Sequence, residues 1–244
     1  MRYGNVGSVD GKPFDLLVRN VSEYRAPNAY KTNGVSGTFG QLNIGYGETV
    51  TLHFEFLQPG SNTKRVELDH FAWSFFDFDE GASAPDCSEM VEVDSEDQPF
   101  QYELDEDPQV RVNQNGSQTW FLSEEIGDAA DNPTSPSTLT PTQKARSVQL
   151  SFVRASEFVL TIGFAKAIDG PPFTLDKAAC YRANGGRNFM FESYYLHRTP
   201  VCANATNATN ATAPPPPAPP APPPSNASCP LPPMFRHRNH HPRN

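Results

Sequence analysis

The chain has 244 residues, among them 25 Pro, 19 Lys or Arg and 28 Asp or Glu. Residues 203–244 contain three Arg and no acid, so residues 1–202 hold 16 basic and 28 acidic groups and carry a formal charge of −12. Such a surface excludes nucleic acid and anionic membranes as direct partners, and no apolar run approaches the length that crosses a bilayer. We expect one domain at residues 1–202 and a tail at residues 203–244.

Short segments of alternating apolar and polar residues follow one another along residues 1–202, which is typical of strands with one buried face. The clearest segment is 49–57, where Val50, Leu52, Phe54 and Phe56 alternate with Thr51, His53 and Glu55. Further strands are predicted at 14–19, 38–44, 66–81, 89–94, 100–104, 109–113, 118–122, 147–153, 157–165 and 188–196, with one helical turn at 139–145. We expect 89–122 to form a meander, and 147–153 to form a strand pair with 157–165.

These elements amount to about eleven strands with turn signals roughly every ten residues and no long helix. The pattern predicts an all-β fold, an antiparallel two-sheet sandwich of the jelly-roll kind.

The strand predicted at 66–81 is aromatic on both faces and runs into acidic residues. Side chains alternate along a strand, so Phe71, Trp73 and Phe75 share one face, while Ala72, Ser74, Phe76 and Phe78 share the other. Asp77 and Asp79 then fall on one face, about 7 Å apart.

Thirteen acids and no Lys or Arg lie between Asp77 and Asp107. Calcium is bound by six to eight oxygen ligands, which loops rich in carboxylates supply. The alternative is a solvated acidic face. We expect a Ca²⁺ site at the end of this strand, with ligands from Asp77, Asp79, Glu80, Asp86 and Glu89.

The four cysteines, Cys87, Cys180, Cys202 and Cys229, show none of the short spacings typical of zinc or redox sites. We expect disulfides and favour Cys87 with Cys180 and Cys202 with Cys229, although sequence leaves three connectivities open. Four inert thiols in a cytosolic protein are the alternative.

Six Asn-x-Ser/Thr sequons occur, at Asn20, Asn115, Asn204, Asn207, Asn210 and Asn226. Three of them form a tandem repeat beside residues 214–224, which contain nine Pro and two Ala and should adopt stiff polyproline II. We predict a glycosylated stalk on a protein that is secreted and acts outside the cell or in a cell wall. The first residues contain no apolar signal segment, and we therefore expect the natural chain to begin further upstream.

Several of these features resemble uncharacterised secreted β-sandwich modules of algae and dinoflagellates, over about residues 14–196. The resemblance is carried by Asn43-Ile near Gly47, Phe71-x-Trp73-x-Phe75-Phe-Asp77-x-Asp79, Asp131-Asn-Pro133, Leu139-Thr140, Gln143 and the strand at Val148. It implies an extracellular jelly-roll-like module with a cation at the Phe-x-Asp-x-Asp strand end and no established activity. The proline tract is similar to those of hydroxyproline-rich wall glycoproteins such as pherophorins, whose cysteine pattern the body does not share.

No nucleophile elbow, zinc helix, phosphate loop or kinase signature occurs in the chain. His53, on the wet face of its strand, and His70 are expected to be structural. The Asp77–Asp79 spacing suits a glycosidase, but such an enzyme needs one carboxyl group in a dry, apolar cleft. We therefore expect no enzyme activity, glycoside hydrolysis being the least improbable one.

A binding module fits these features better. Its expected partner is a polysaccharide or a glycoprotein of the extracellular matrix or cell wall, with Tyr46 and Trp120 as candidates for stacking on sugar rings, although core packing is the commoner role of a Trp. The alternative is a structural wall or surface-appendage glycoprotein without a small ligand.

Overall fold

The computed structural model describes residues 1–195 except 26, 28–32, 82–86, 97, 129–131, 169–173 and 182–184, and it omits the side chains of Tyr194 and Tyr195. The described residues belong to one compact unit, Met1–His197, and a second unit comprises Arg198–Asn244. The predicted stalk and the predicted site residues Asp86, Cys202, Cys229, Asn204, Asn207, Asn210 and Asn226 lie outside the described residues.

Strands dominate the described part of the chain. In order they are β1 (Arg2–Val9), β2 (Lys12–Asn20), β3 (Gly34–Ser36), β4 (Phe39–Gly45), β5 (Thr49–Leu57), β6 (Leu68–Phe76), β7 (Ser88–Asp94), β8 (Phe100–Glu103), β9 (Val110–Asn115), β10 (Gln118–Ser123), β11 (Val148–Ala155), β12 (Glu157–Ile168), β13 (Thr174–Asp176) and β14 (Gly186–Tyr195). The helix α1 (Pro141–Ala145) begins at a capping box formed by Thr140 and Gln143, and a 3-10 turn covers Ala178–Cys180. Within the described residues no helix is long and apolar enough to span a membrane.

The strands form two antiparallel sheets. The first sheet has the order β1-β2-β5-β12-β7-β10-β9, with β13 beside β12, and the second has the order β3-β4-β14-β6-β11-β8. The predicted antiparallel two-sheet sandwich is therefore confirmed.

Strand pairing in the sandwich is nested, as in a jelly roll. In the first sheet β5 pairs with β12 and β7 with β10, while β6 pairs with β11 in the second. From β5 to β8 each successive strand changes sheet. This wrapping of one long hairpin around a core is the jelly-roll arrangement that the sequence predicts.

The same topology corrects two predictions about neighbouring strands. The meander expected at 89–122 is wrong, because β8 belongs to the second sheet and only β9 and β10 form a hairpin. The strands at 147–153 and 157–165 are likewise not hydrogen-bonded to each other. The chain crosses from one sheet to the other between them, at Arg154 with a φ of 47°, so the two strands face each other and Phe152 stacks on Phe158 at 5.0 Å.

Aromatic rings fill the space between the sheets. Trp73 of β6 is fully buried, with its ring centroid 4.8 Å from that of Phe191 and 4.9 Å from that of Phe54. Offset and edge-to-face pairs of this kind add about 0.5–1.5 kcal/mol each beyond the burial of their area. Rings from both sheets thus make β6 the centre of the core.

Strands β1, β3 and β13 are not predicted by the sequence pattern. Strand β1 contains two Gly, shows no regular alternation, and has a register shift between Tyr3 and Gly7. Polar contacts with β2 hold it in place: the Met1 ammonium group donates to the Val18 carbonyl at 2.7 Å, and Arg2 pairs with Asp15 at 2.9 Å. Such long-range contacts leave no periodic signal in the sequence.

Candidate functional site

The aromatic strand ends earlier than its sequence predicts. Strand β6 ends at Phe76, and Asp77 adopts a left-handed conformation with a φ of 63°. Asp tolerates this conformation better than most residues do. The break reverses the alternation of side chains after Phe76. Phe78 therefore lies in the core beside Phe189, with ring centroids 6.4 Å apart, and does not share the outer face with Phe76. Asp77 and Asp79 therefore do not follow each other along one strand face.

Beyond this break, three carboxylates and two guanidinium groups form what we call the acid cluster: Asp77, Asp79, Glu89, Arg146 and Arg187. Asp79 is 0% exposed, Glu89 1% and Asp77 6%. Arg187 forms an ion pair with Asp79, and its Nε lies 3.1 Å from Glu89 Oε1. Arg146 Nη1 lies 3.9 Å from Asp79 Oδ2. Three of the five predicted ligands, Asp77, Asp79 and Glu89, thus lie close together, but they pair with arginine side chains.

Four separate segments position the acid cluster. Glu89 is the second residue of β7, Arg187 the second of β14, and Arg146 follows α1. The Arg146 carbonyl accepts from the Phe78 amide at 2.9 Å, and its Nε donates to Gln109 Oε1 at 2.6 Å. The end of β6 is therefore fixed by backbone and side-chain bonds to the segment that follows the helix.

A second loop covers Asp79. The Glu80 amide donates to the Glu125 carbonyl at 2.7 Å, and the Gly127 amide donates to the Glu80 carbonyl at 3.0 Å. A side chain at Gly127 would overlap the Asp79 carboxylate. Only glycine lets the backbone approach so closely, which explains how Asp79 becomes inaccessible to water.

Burial changes the proton affinity of this cluster. Desolvation raises the pKa of Glu89 well above its usual value; Asp79 and Asp77 raise it further, while Arg187 opposes the shift. For Arg187 burial disfavours the charged form, but Glu89, Asp79 and Asp77 outweigh it and raise the pKa of the guanidinium. Among the described residues, three carboxylates and two guanidinium groups meet here, an environment that favours a proton on Glu89 or an added cation.

The other two predicted ligands are Glu80, which directly follows Asp79, and Asp86. Glu80 is half-buried and accepts a hydrogen bond from Ser88 Oγ at 3.3 Å, whereas Asp86 is not described. Arg146 and Arg187 are not predicted as site residues, because they are distant from these acids in the chain and belong to no motif. Calcium binding at this cluster stays a prediction.

The disulfide predicted between Cys87 and Cys180 is confirmed, with Cα atoms 5.4 Å apart. Both residues are buried. Cys87 immediately precedes β7, and Cys180 ends the 3-10 turn. The bond therefore ties the strand that carries Glu89 to the segment before β14.

Tyr46 and Trp120 are each 8% exposed, which leaves little of either residue for the predicted stacking on sugar rings. Tyr46 packs on Phe164 with ring centroids 4.9 Å apart. Trp120 belongs to a small cluster with Met90 and Leu122, so core packing is its role.

The two sequons within the described body lie at strand ends. Asn20 ends β2, Asn115 ends β9, and both side chains are exposed. Their glycosylation stays a prediction.

A groove crosses the outer face of the second sheet, and we call it the sheet groove. Its volume is about 490 Å³. Strands β6, β8 and β11 and the segment around α1 line it through Ala72, Ser74, Phe76, Glu103, Leu104, Asp105, Pro136, Leu139, Lys144, Ser147, Val148 and Gln149.

Polar side chains form a row across the sheet groove. Ser74 of β6 lies directly opposite Gln149 of β11, which in turn lies opposite Glu103 of β8. Ser74 Oγ donates to Gln149 Oε1 at 3.5 Å, and Gln149 Nε2 donates to Glu103 Oε2 at 3.5 Å. These bonds are at the long limit of hydrogen bonding. Ser74 is buried, whereas Gln149 is half-buried and Glu103 is exposed, so the latter two side chains can reach a hydroxyl-rich ligand.

Comparisons with known proteins assign no family. No family model matches the chain, and no curated protein matches it. Among solved structures, the chain is similar to the N-terminal domain of the Streptococcus gordonii adhesin Sgo0707, with 10% sequence identity and a TM-score of 0.43 over 81% of this chain and 46% of that chain. The match spans less than half of that protein chain, and no argument about function follows from a likeness at this level.

Proposed function

We propose that the chain is an extracellular recognition module that binds a polysaccharide or a matrix or wall glycoprotein through the sheet groove, with calcium stabilising the end of the sandwich. The observation that carries this proposal is the polar row Ser74–Gln149–Glu103 in the sheet groove, which runs from the buried Ser74 through the half-buried Gln149 to the exposed Glu103. Its hydroxyl, amide and carboxylate groups offer both donors and acceptors, as the hydroxyls of a sugar require.

The shape of the groove supports an extended ligand. The small side chains of Ala72 and Ser74 and the exposed Lys144 are among its lining residues. Concave sites with a few convergent polar groups are the usual form of ligand sites. A polymer lying across the strands would contact the row without any rearrangement of the core.

An extracellular location agrees with the disulfide and with the two sequons of the described residues. A buried disulfide such as Cys87–Cys180 is typical of proteins in oxidising compartments and rare in cytosolic ones. The sequons at Asn20 and Asn115 are exposed, as glycosylation requires.

Binding of the full chain to an array of glycans and matrix polysaccharides tests the recognition proposal. Gln149→Ala is expected to reduce binding at least several-fold. Gln118→Ala is a matched control, because Gln118 lies on a strand of the other sheet, is similarly half-buried, and donates to Glu92 at 3.0 Å. Equal binding by both variants would place recognition outside the sheet groove, and the absence of any bound glycan would favour a structural glycoprotein without a ligand.

The calcium part of the proposal rests on the three buried carboxylates that the described part of the chain brings together in the acid cluster. Asp77, Asp79, Glu80 and Glu89 would hold the ion, and oxygen ligands of this kind suit Ca²⁺. In the described residues, Asp77, Asp79 and Glu89 do not place ligand atoms all within 4.8 Å of one another. Calcium would therefore have to replace Arg187 as the partner of Asp79 and Glu89. The carboxylates would then move closer together around the ion.

Thermal unfolding of the full chain in EDTA and in rising calcium tests this part separately. A ligand at 100 times its dissociation constant adds about 2.7 kcal/mol to the folded state, so the midpoint should rise by a few degrees. Asp77→Asn should abolish the rise, and Asp69→Asn, at an exposed strand position, should retain it. If calcium does not change the midpoint of thermal unfolding, the calcium part of the proposal is wrong, and recognition through the sheet groove is unaffected.

The acid cluster does not provide the open pair of acids that a glycosidase uses. Asp79 and Glu89 are at most 1% exposed, and a general acid must reach the leaving oxygen of the substrate. The raised pKa of Glu89 thus accompanies a buried network instead of an accessible catalytic group.

A further inference from the structure

A second group of potential ligands lies on the outer face of the first sheet, away from the sheet groove and the acid cluster. Glu55 of β5 and Glu157 of β12 are directly opposite each other across paired strands. His53 precedes Glu55 by two residues and points to the same face, and its Nε2 lies 2.6 Å from Glu157 Oε2. The strand pairing thus brings one imidazole and two carboxylates together.

Two carboxylates in directly opposite positions repel each other unless a cation lies between them. Arg65 supplies that cation: its guanidinium forms a close ion pair with Glu157, and its Nη2 lies 3.3 Å from Glu55 Oε1. The Arg65 side chain is 43% exposed, so it can turn into solvent without disturbing the core. Arg65 therefore acts as an exchangeable counter-ion.

The geometry of the three side chains suits a metal ion. One ligand atom from each of His53, Glu55 and Glu157 lies within 4.8 Å of the other two. Glu55 is 4% exposed, and its Oε2 is buried and accepts no hydrogen bond, although Arg19 Nε lies 3.3 Å from it in an ion pair. The ion pair with Arg19 thus leaves this oxygen without a well-aligned hydrogen bond, which is costly for a buried carboxylate, and coordination of a metal would satisfy it.

We propose that His53, Glu55 and Glu157 form a site for a divalent transition metal of the zinc class, which replaces Arg65 between the two carboxylates. Imidazole nitrogen and carboxylate oxygen are ligands of zinc, whereas calcium takes oxygen ligands alone. Water would complete the coordination, because three protein ligands leave a fourth position open. This site is independent of the proposed function.

Titration of the full chain with Zn²⁺, and with Co²⁺ as a spectroscopic probe, tests the proposal. The starting protein carries Gln in place of the tail histidines His237, His240 and His241, so that these side chains do not contribute. We expect one bound equivalent and a cobalt spectrum with nitrogen and oxygen ligands. His53→Gln should abolish both, and His70→Gln, at a half-buried position in the second sheet, should leave both unchanged.

Arg65→Gln separates a metal site from a purely structural ion-pair network. Removal of the competing guanidinium should tighten Zn²⁺ binding several-fold, and zinc should raise the unfolding midpoint of this variant more than that of the starting protein. Absence of zinc binding, binding that persists in His53→Gln, or weaker binding in Arg65→Gln would each overturn the proposal. Circular dichroism of each variant confirms that it is folded.

Discussion

Glu89 shows how burial turns one carboxyl group into a source of pH dependence. Its side chain is buried among Asp77, Asp79 and Arg187, and desolvation raises its pKa. The folded state therefore keeps a proton that the unfolded chain releases above its ordinary pKa of 4.5. Because the native state binds more protons, the free energy of unfolding falls as pH rises from that value.

We expect Glu89→Gln to remove this component of the pH profile. In the unmodified chain one extra bound proton lowers stability by up to about 1.4 kcal/mol per pH unit above the unfolded pKa, until the folded pKa is reached. The measurement is urea unfolding between pH 5 and 8, with Glu92→Gln, a neighbouring residue of the same strand, as control. Parallel profiles for the unmodified chain and Glu89→Gln would show that Glu89 stays ionised.

The close approach of Gly127 to the Asp79 carboxylate gives a second prediction. Gly127→Ala forces a methyl group against the Asp79 carboxylate, and overpacking of this kind costs about 1–3 kcal/mol. Gly4→Ala is the control, because its added Cβ would have Asp15 Oδ1 as nearest neighbour at 3.8 Å, an ordinary contact. Chemical denaturation should show a clear loss of stability for Gly127→Ala alone; equal stability of the two variants would contradict this account of the loop.

Among the elements, strands with a regular pattern were predictable and those held by distant contacts were not. Strand β5 has the predicted bounds and the predicted alternation, except that Glu55 is buried beneath Arg19 and Arg65. Strand β1 has no such pattern. Alternation of apolar and polar residues likewise does not predict the left-handed conformation of Asp77, which directly follows β6.

The candidate sites divide in the same way. The sequence identified Asp77, Asp79 and Glu89 because acids cluster locally, but it gave no sign of Arg146 or Arg187, which the fold brings to them. The Ser74–Gln149–Glu103 row depends on the register between three strands distant in the chain. No local pattern in the sequence predicts the register between strands that are distant in the chain.

The covalent link between two elements gives a further prediction. The Cys87–Cys180 disulfide closes a separation of 93 residues, and cross-links of this length stabilise small domains by about 2–5 kcal/mol, largely by restricting the unfolded chain. Cys87→Ala/Cys180→Ala should lose about this much stability in chemical denaturation, and the unmodified chain in reducing buffer should match it. A double variant as stable as the oxidised protein would mean that the bond adds nothing to the fold.

For the whole molecule, the jelly-roll topology separates three regions of different chemistry. The acid cluster lies where β6 ends, the sheet groove lies on the outer face of the second sheet, and the His53–Glu55–Glu157 group lies on the outer face of the first. A rigid aromatic core holds these regions on opposite faces. Recognition through the groove therefore leaves the opposite face and the cluster free for cations.

Hydrogen–deuterium exchange of the full chain, with and without the polysaccharide that it retains from a matrix panel, tests groove recognition most directly. Our account predicts slower exchange confined to β6, β8, β11 and the segment around α1, and no such change in Gln149→Ala. Protection on β7 and β10 of the first sheet, or no protection anywhere, would contradict it.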